Sequence, residues 1–305
     1  MHIKCATADL AEGSAMTFLL RTISFIILVS LFLFSMLSKS VPAQLLFAVF
    51  ATVSAFFVVY ETFSMIEKIN KPGFKAVTST VAALMIVFMA FYEIQIMMFL
   101  IAIVFLVVGM WVLMLFVYED RDKYVDKAVN SQGVFMMVAV PLSFLVLIYR
   151  VDPLLLLFMV AVTKIGDTGA YVFGSLSNKL LGGKNHKVVP RISPNKSYEG
   201  VIGGLICSVL LSYILAKYVF DPVSLNPDLT GTALDKHTIH FSLLVGGFLF
   251  FGGFAGDLVE SVLKRTCGVK DSGNAIPGMG GFFDFLDSLI LNAPLFYLYL
   301  LYFDV

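Results

Sequence analysis

Nine long apolar runs alternate with shorter polar stretches along the chain, at residues 17–37, 43–60, 77–92, 94–118, 133–149, 153–173, 201–220, 241–262 and 282–302. A helix needs about 18 or more apolar residues to cross a bilayer core. Only Glu93 separates the third run from the fourth, which predicts a tight helical hairpin there. A spanning segment must satisfy its own backbone polar groups, and helices do so where strands of an open sheet do not. The pattern therefore predicts an all-α, polytopic membrane protein with about nine transmembrane helices. Residues 1–150 form an N-terminal membrane region of about five spans. Residues 151–305 form a C-terminal region of about four spans, with the two longest polar stretches at 174–199 and 264–281.

Composition agrees with the pattern. The chain is 59% hydrophobic and 14% charged, whereas soluble domains average about 45–50% apolar and about 25% charged residues. The formal net charge is zero, so no bulk attraction to nucleic acid is expected. Cys5, Cys207 and Cys267 show no CxxC spacing, which argues against a zinc site or a disulfide framework. The first apolar run reads as a retained helix and not as a cleaved leader.

Basic residues give an orientation. With nine spans, sixteen of the 21 Lys and Arg residues fall on the N-terminal side and four on the other, with Lys164 inside a span. Cytoplasmic loops are the Lys/Arg-rich ones, so the N-terminus is expected inside and the C-terminus outside. Both long polar stretches then face the cytoplasm. The Asn195-Lys196-Ser197 sequon is on that side and is discounted as a glycosylation site. His237 and His240 fall on the outer side, away from the remaining candidate chemistry.

Ionisable groups within spans are costly and mark functional sites. Lys164 and Asp167 are three apart and share a helix face. Asp257, Glu260, Ser261 and Lys264 form one stripe at the end of the eighth run, and Asp284 and Asp287 share a face at the start of the ninth. If these two helices pack side by side, the three aspartates converge next to the basic loop carrying Lys264, Arg265, Lys270 and Asp271. Carboxylates beside Lys and Arg suit Mg²⁺ and phosphate. The stretch from Gly182 to Gly200, with Lys184, His186, Ser193 and Lys196, is a basic, glycine-containing loop feeding a helix N-terminus, a pattern that suits an anion.

At these residues the sequence resembles the phosphatidate cytidylyltransferase family. Ser261-Val-Leu-Lys264-Arg265, then Lys270-Asp271-Ser-Gly273, then Ile276-Pro277-Gly-Met279-Gly280-Gly281-Phe-Phe-Asp284-Phe285-Leu-Asp287 is similar to its signature in order and spacing. Asp167-Thr-Gly-Ala-Tyr171-Val-Phe-Gly174 and Ser193 to Gly200 are similar to its upstream motifs. The similarity runs from about Lys164 to the C-terminus. Four positions depart from the pattern: Met279 stands for His, Phe285 for Arg, Asn195 for Lys and Ser175 for Arg.

The resemblance implies transfer of CMP from CTP to phosphatidate, giving CDP-diacylglycerol and pyrophosphate. It implies catalytic roles for Asp257, Lys264, Arg265, Asp284 and Asp287, with Asp257, Asp284 and Asp287 as metal ligands. Asp167, Ser193, Lys196, Ser197, Glu199, Ser261, Lys270 and Asp271 are the implied substrate-binding residues. Mg²⁺ is the implied cofactor, with K⁺ as a candidate second cation. The implied partners are CTP, phosphatidate, membrane lipids and a second copy in a homodimer, in a bacterial inner (plasma) membrane. Another CTP-dependent lipid enzyme, or a secondary transporter with intramembrane charges, is the alternative reading.

Overall fold

The computed structural model describes residues 26–27, 29–38, 40–92, 96–116, 123–182, 185–218, 232–276 and 280–302, with only the backbone at 232–240. The first half of the first predicted span, Glu93, Lys184 and the turn at 277–279 lie outside the described residues, as do the side chains of His237 and His240. The chain divides into two compact units. The first is Met1–Val146 with Cys267–Phe285, and the second is Leu147–Thr266 with Leu286–Val305.

Within the first unit, α1 (Val41–Ile66) leads through a short 3₁₀ turn, Glu67–Ile69, into α2 (Lys75–Phe91), then α3 (Ile96–Phe116) and α4 (Tyr124–Val134). Asn70 closes the turn after α1 at φ 57°, a left-handed conformation that Asn tolerates better than most residues. The polar end of α4 is fixed by its side chains: Ser131 accepts from the Phe74 N–H at 2.8 Å, and Asn130 donates to the Pro72 carbonyl at 2.8 Å. A π-helical turn, Phe135–Ala139, joins α4 to α5 (Val140–Val151), whose residues from Leu147 onward belong to the second unit. The apolar run predicted at 133–149 thus begins one polar helix earlier, at Tyr124. Residues α3 exposes are almost all apolar, Phe105 at 73% and Phe116 at 82% among them. A helix apolar on every face is matched to lipid and not to water.

The second unit holds α6 (Pro153–Leu180), a hairpin of β1 (Lys187–Val189) and β2 (Ser193–Ser197), α7 (Tyr198–Tyr218), α8 (Thr232–Thr266) and most of α9 (Phe282–Tyr302). Asp152 caps α6 by accepting from the Leu154 N–H at 2.8 Å, and Pro153 occupies the first helical position. The hairpin is antiparallel, with Lys187 opposite Ser197. It is the departure from an all-helical reading, and it lies in the polar stretch, where a short strand pair is free of the membrane's demand for closed hydrogen bonding.

Small residues bring α6, α7 and α8 into close contact. A Cβ at Gly169 would sit 2.8 Å from the Cys207 sulfur, and one at Gly246 would sit 2.8 Å from the Val209 Cα. Such close backbone approach drives association in lipid, where no hydrophobic force acts between helices. Buried polar bonds add to it. Ser208 donates to the Val162 carbonyl at 3.0 Å, and the Asn292 amide donates to Thr163 and to the Leu249 carbonyl, each at 2.8 Å.

Among the described residues, seven helices are long and apolar enough to cross a membrane, and Lys75–Phe91 is a shorter apolar helix. This is an integral membrane protein of the predicted helical class.

Candidate active site

The second unit carries a cavity of about 240 Å³ between α6, β2, α7 and α8. Asp167, Ser193, Asn195, Lys196, Ser197 and Asp257 supply its polar lining, and Tyr171, Phe250 and Phe254 part of its apolar wall. Five residues predicted from three separate stretches of the chain therefore meet here: Asp167, then Ser193, Lys196 and Ser197, and Asp257.

Lys196 spans the cavity wall. Its ammonium lies 3.2 Å from Asp257 Oδ2 and 4.4 Å from the centre of the Phe254 ring. The aromatic face and the carboxylate together hold the cation in place. Ser197 is buried and accepts from the Gly200 N–H at 3.2 Å, so it caps the N-terminus of α7 as well as lining the cavity. Gly174 and Gly200 make room for it, since a Cβ at either would stand 3.1 or 3.3 Å from its hydroxyl.

A second lysine links two more acids. Lys164 Nζ is 3.6 Å from Asp167 and 3.9 Å from Asp287, and it donates to Ser288 Oγ at 2.8 Å. Asp167 and Asp287 each interact electrostatically with Asp257, and with one another. Three carboxylates and two ammonium groups thus form one charged network within the unit. Its acids repel each other, so it favours added positive charge. Among the described residues, no three His, Cys, Asp or Glu side chains are grouped as a ready-made metal site.

The remaining predicted residues are not among those lining this cavity. Glu199 turns to His186, accepting from its backbone N–H at 3.2 Å and meeting its Nδ1 at 2.9 Å; it ties the hairpin to α7. Lys264 shares its stripe with Asp257 and Glu260, and its ammonium meets Glu260 Oε1 at 2.6 Å, one turn back; both side chains are largely buried. Ser261 is half-buried and Arg265 exposed at the end of α8. Lys270, Asp271 and Asp284 belong to the first unit. Lys270 and Asp271 are exposed, whereas Asp284 accepts from the Ser272 N–H at 3.1 Å and the Gly281 N–H at 2.9 Å. Of the departures from the family pattern, Asn195 lines the cavity, Ser175 and Phe285 are half-buried, and Met279 lies outside the described residues. Cys267 is buried, and burial pushes its thiol up despite the nearby Lys68 charge, so it is no candidate nucleophile.

Two residues escaped the sequence reading. Ser288 had one available signal, its place directly after Asp287. Glu61 is 5% exposed at the end of an apolar run, where a lone acid reads as a span terminus.

These features define a polytopic membrane protein with a carboxylate–lysine site among its helices. A cytidylyltransferase family model matches residues 19–303, and the chain belongs to that family. It is 41% identical to the phosphatidate cytidylyltransferase of Staphylococcus epidermidis over 141 residues, 46% of each chain. It is 37% identical to that of Haemophilus influenzae over 153 residues, 48% of this chain and 47% of the relative. It is also 38% identical to the uncharacterized protein YnbB of Escherichia coli over 149 residues, 49% of this chain and 43% of the relative. The chain spans about half the length of the curated relatives it matches.

Proposed function

We propose that this protein transfers CMP from CTP to phosphatidate. The observation that carries the reading is the cavity in which Asp167, Asp257, Lys196, Ser193 and Ser197 meet. An oxygen of the phosphatidate phosphate attacks the α-phosphorus of CTP. A new P–O–P bond forms, the bond from the α-phosphorus to the bridging oxygen breaks, and pyrophosphate leaves with that electron pair. The attacking oxygen is already anionic, so no general base is required. Such transfers depend on positioning and on electrostatic stabilisation.

In this reading Lys196 and the Ser193 hydroxyl bind phosphate oxygens, and Lys164 keeps Asp167 and Asp287 oriented. The donor set is all oxygen and acid-rich, which fits a hard cation that takes one or two carboxylates plus substrate phosphates. Asp257 and Asp287 would hold Mg²⁺, and the motif assigns Asp284 to the same chemistry. When bound, Mg²⁺ neutralises charge on the CTP phosphates and on the departing pyrophosphate. K⁺ as a second cation and a homodimeric state rest on the family resemblance alone. The substrate-binding assignments of Ser261, Lys270, Asp271 and Glu199 and the catalytic ones of Lys264 and Arg265 rest on that resemblance together with their place in the sequence, at the end of the eighth apolar run and in the polar stretches 174–199 and 264–281.

The test is direct. Purified protein incubated with CTP, Mg²⁺ and phosphatidate should release pyrophosphate and form CDP-diacylglycerol. Absence of both products from folded protein would refute the reading.

We further propose a bacterial inner-membrane location with the N-terminus and residues 174–199 in the cytoplasm and the C-terminus outside. The sixteen-to-four division of Lys and Arg supports it. Fusions to a cytoplasmic and a periplasmic reporter should report these sides, and a cytoplasmic C-terminus would overturn the nine-span arrangement.

A further inference from the structure

Glu61 lies near the C-terminal end of α1, and its carboxylate is almost fully enclosed within the first unit. It accepts from the Phe282 N–H at 3.2 Å, the Phe283 N–H at 3.0 Å and the Ser272 hydroxyl at 3.2 Å. Phe282 and Phe283 open α9, so their N–H groups have no acceptor within the helix. Glu61 therefore caps α9 from a different helix, and its negative charge sits at the positive end of the helix dipole. One turn earlier on α1, Phe57 stacks on Phe282 at 5.5 Å between ring centres.

Ser272 connects this cap to Asp284. Its hydroxyl is bound to Glu61, and its N–H reaches both Asp284 oxygens at 3.2 and 3.1 Å. The glycines of the loop are shaped to the same carboxylate. A Cβ at Gly273 would sit 2.5 Å from Glu61 Oε1, and one at Gly281 would collide with Glu61 and Ser272. Two glycines of the motif thus leave room for an acid more than 200 residues upstream.

We propose that Glu61 is a positioning residue for Asp284: through Ser272 and the first turn of α9 it fixes the direction in which that carboxylate presents its oxygens. The proposal rests on the reading of Asp284 as a Mg²⁺ ligand in cytidylyl transfer. Supporting groups around a ligand of this kind affect metal affinity or activity by roughly 10- to 100-fold when removed.

The experiment uses the full chain in lipid nanodiscs, with Glu61→Gln, Glu61→Asp and Ser272→Ala. Glu61→Gln keeps the volume but places an NH₂ group among donors. Hydrogen exchange of the peptide containing Phe282 and Phe283 should accelerate in Glu61→Gln, while peptides of α7 keep their wild-type rate. The Mg²⁺ concentration giving half-maximal turnover at saturating CTP should rise in Glu61→Gln and in Ser272→Ala, and Glu61→Asp, which retains the carboxylate, should recover part of it. The Mg²⁺ dependence of the thermal midpoint should shift the same way, a readout that needs no turnover. Faster exchange with an unchanged Mg²⁺ requirement would make Glu61 a purely structural cap and overturn the proposal, as would wild-type behaviour on both counts. If the wild-type protein forms no CDP-diacylglycerol, the functional reading falls, and the thermal shift with Mg²⁺ still decides whether Glu61 acts on Asp284.

Discussion

Asp257→Asn should cut turnover by roughly 10²- to 10³-fold, the usual scale for losing one preorganised electrostatic group, while the protein still inserts and folds. Asp257 is the residue at which the two halves of the charged network meet. It pairs with Lys196 at 3.2 Å and interacts with both Asp167 and Asp287. The amide keeps the shape but removes the charge, so Lys196 loses its anchor and the network loses an anionic oxygen. The loss should be greatest at limiting Mg²⁺. It is read as CDP-diacylglycerol formed per mole of membrane-inserted protein. Turnover near the wild-type value at limiting Mg²⁺ would remove Asp257 from the chemistry.

Gly256→Leu should be comparably damaging by another route. Gly256 sits where α8 touches α9 backbone to backbone. A Cβ there would stand 2.5 Å from the Asp287 carbonyl oxygen and 3.1 Å from the Ser288 Cα. Neither atom belongs to a flexible side chain, so the helices themselves must separate. Overpacking of this kind costs about 1–3 kcal/mol, occasionally more. The displaced segment carries Asp287 and Ser288, the partners of Lys164. A misplacement of about 1 Å at a catalytic group costs on the order of 10²-fold in rate. A lower thermal midpoint in detergent together with a loss of at least that size is expected. A folded Gly256→Leu protein with full activity would show that this contact does not position the site.

Much of this is legible in the sequence. Apolar runs near twenty residues long read as membrane helices because the bilayer's thickness leaves little else for them to be. Asp167 and Asp257 stand out because charge near lipid needs a reason, and Lys196 because a basic, glycine-containing loop feeding a helix N-terminus suits an anion. What stayed hidden depended on partners distant in sequence. The helical spacing of Lys264 and Asp257 was read correctly, yet spacing does not say which acid a flexible ammonium takes, and Glu260 is one turn closer. The return of residues 267–285 to the first unit leaves no trace in hydropathy, because the loop is polar whichever unit it joins. Glu61 looked like the polar end of a span for the same reason. Only the donors of Ser272, Phe282 and Phe283 distinguish it from an ordinary interfacial acid.

That last contact has a consequence for biosynthesis. Ser272 lies 211 residues after Glu61. At translation rates of about 5–20 residues per second, α1 reaches the membrane roughly 10 to 40 s before its capping partners leave the ribosome. Throughout that interval the nascent chain holds an acid whose native hydrogen-bond donors have not yet been made. A truncated product that stops before the 267–285 loop never acquires them. The acid-to-helix clasp therefore closes only after the 267–285 loop and the first turn of α9 have been made.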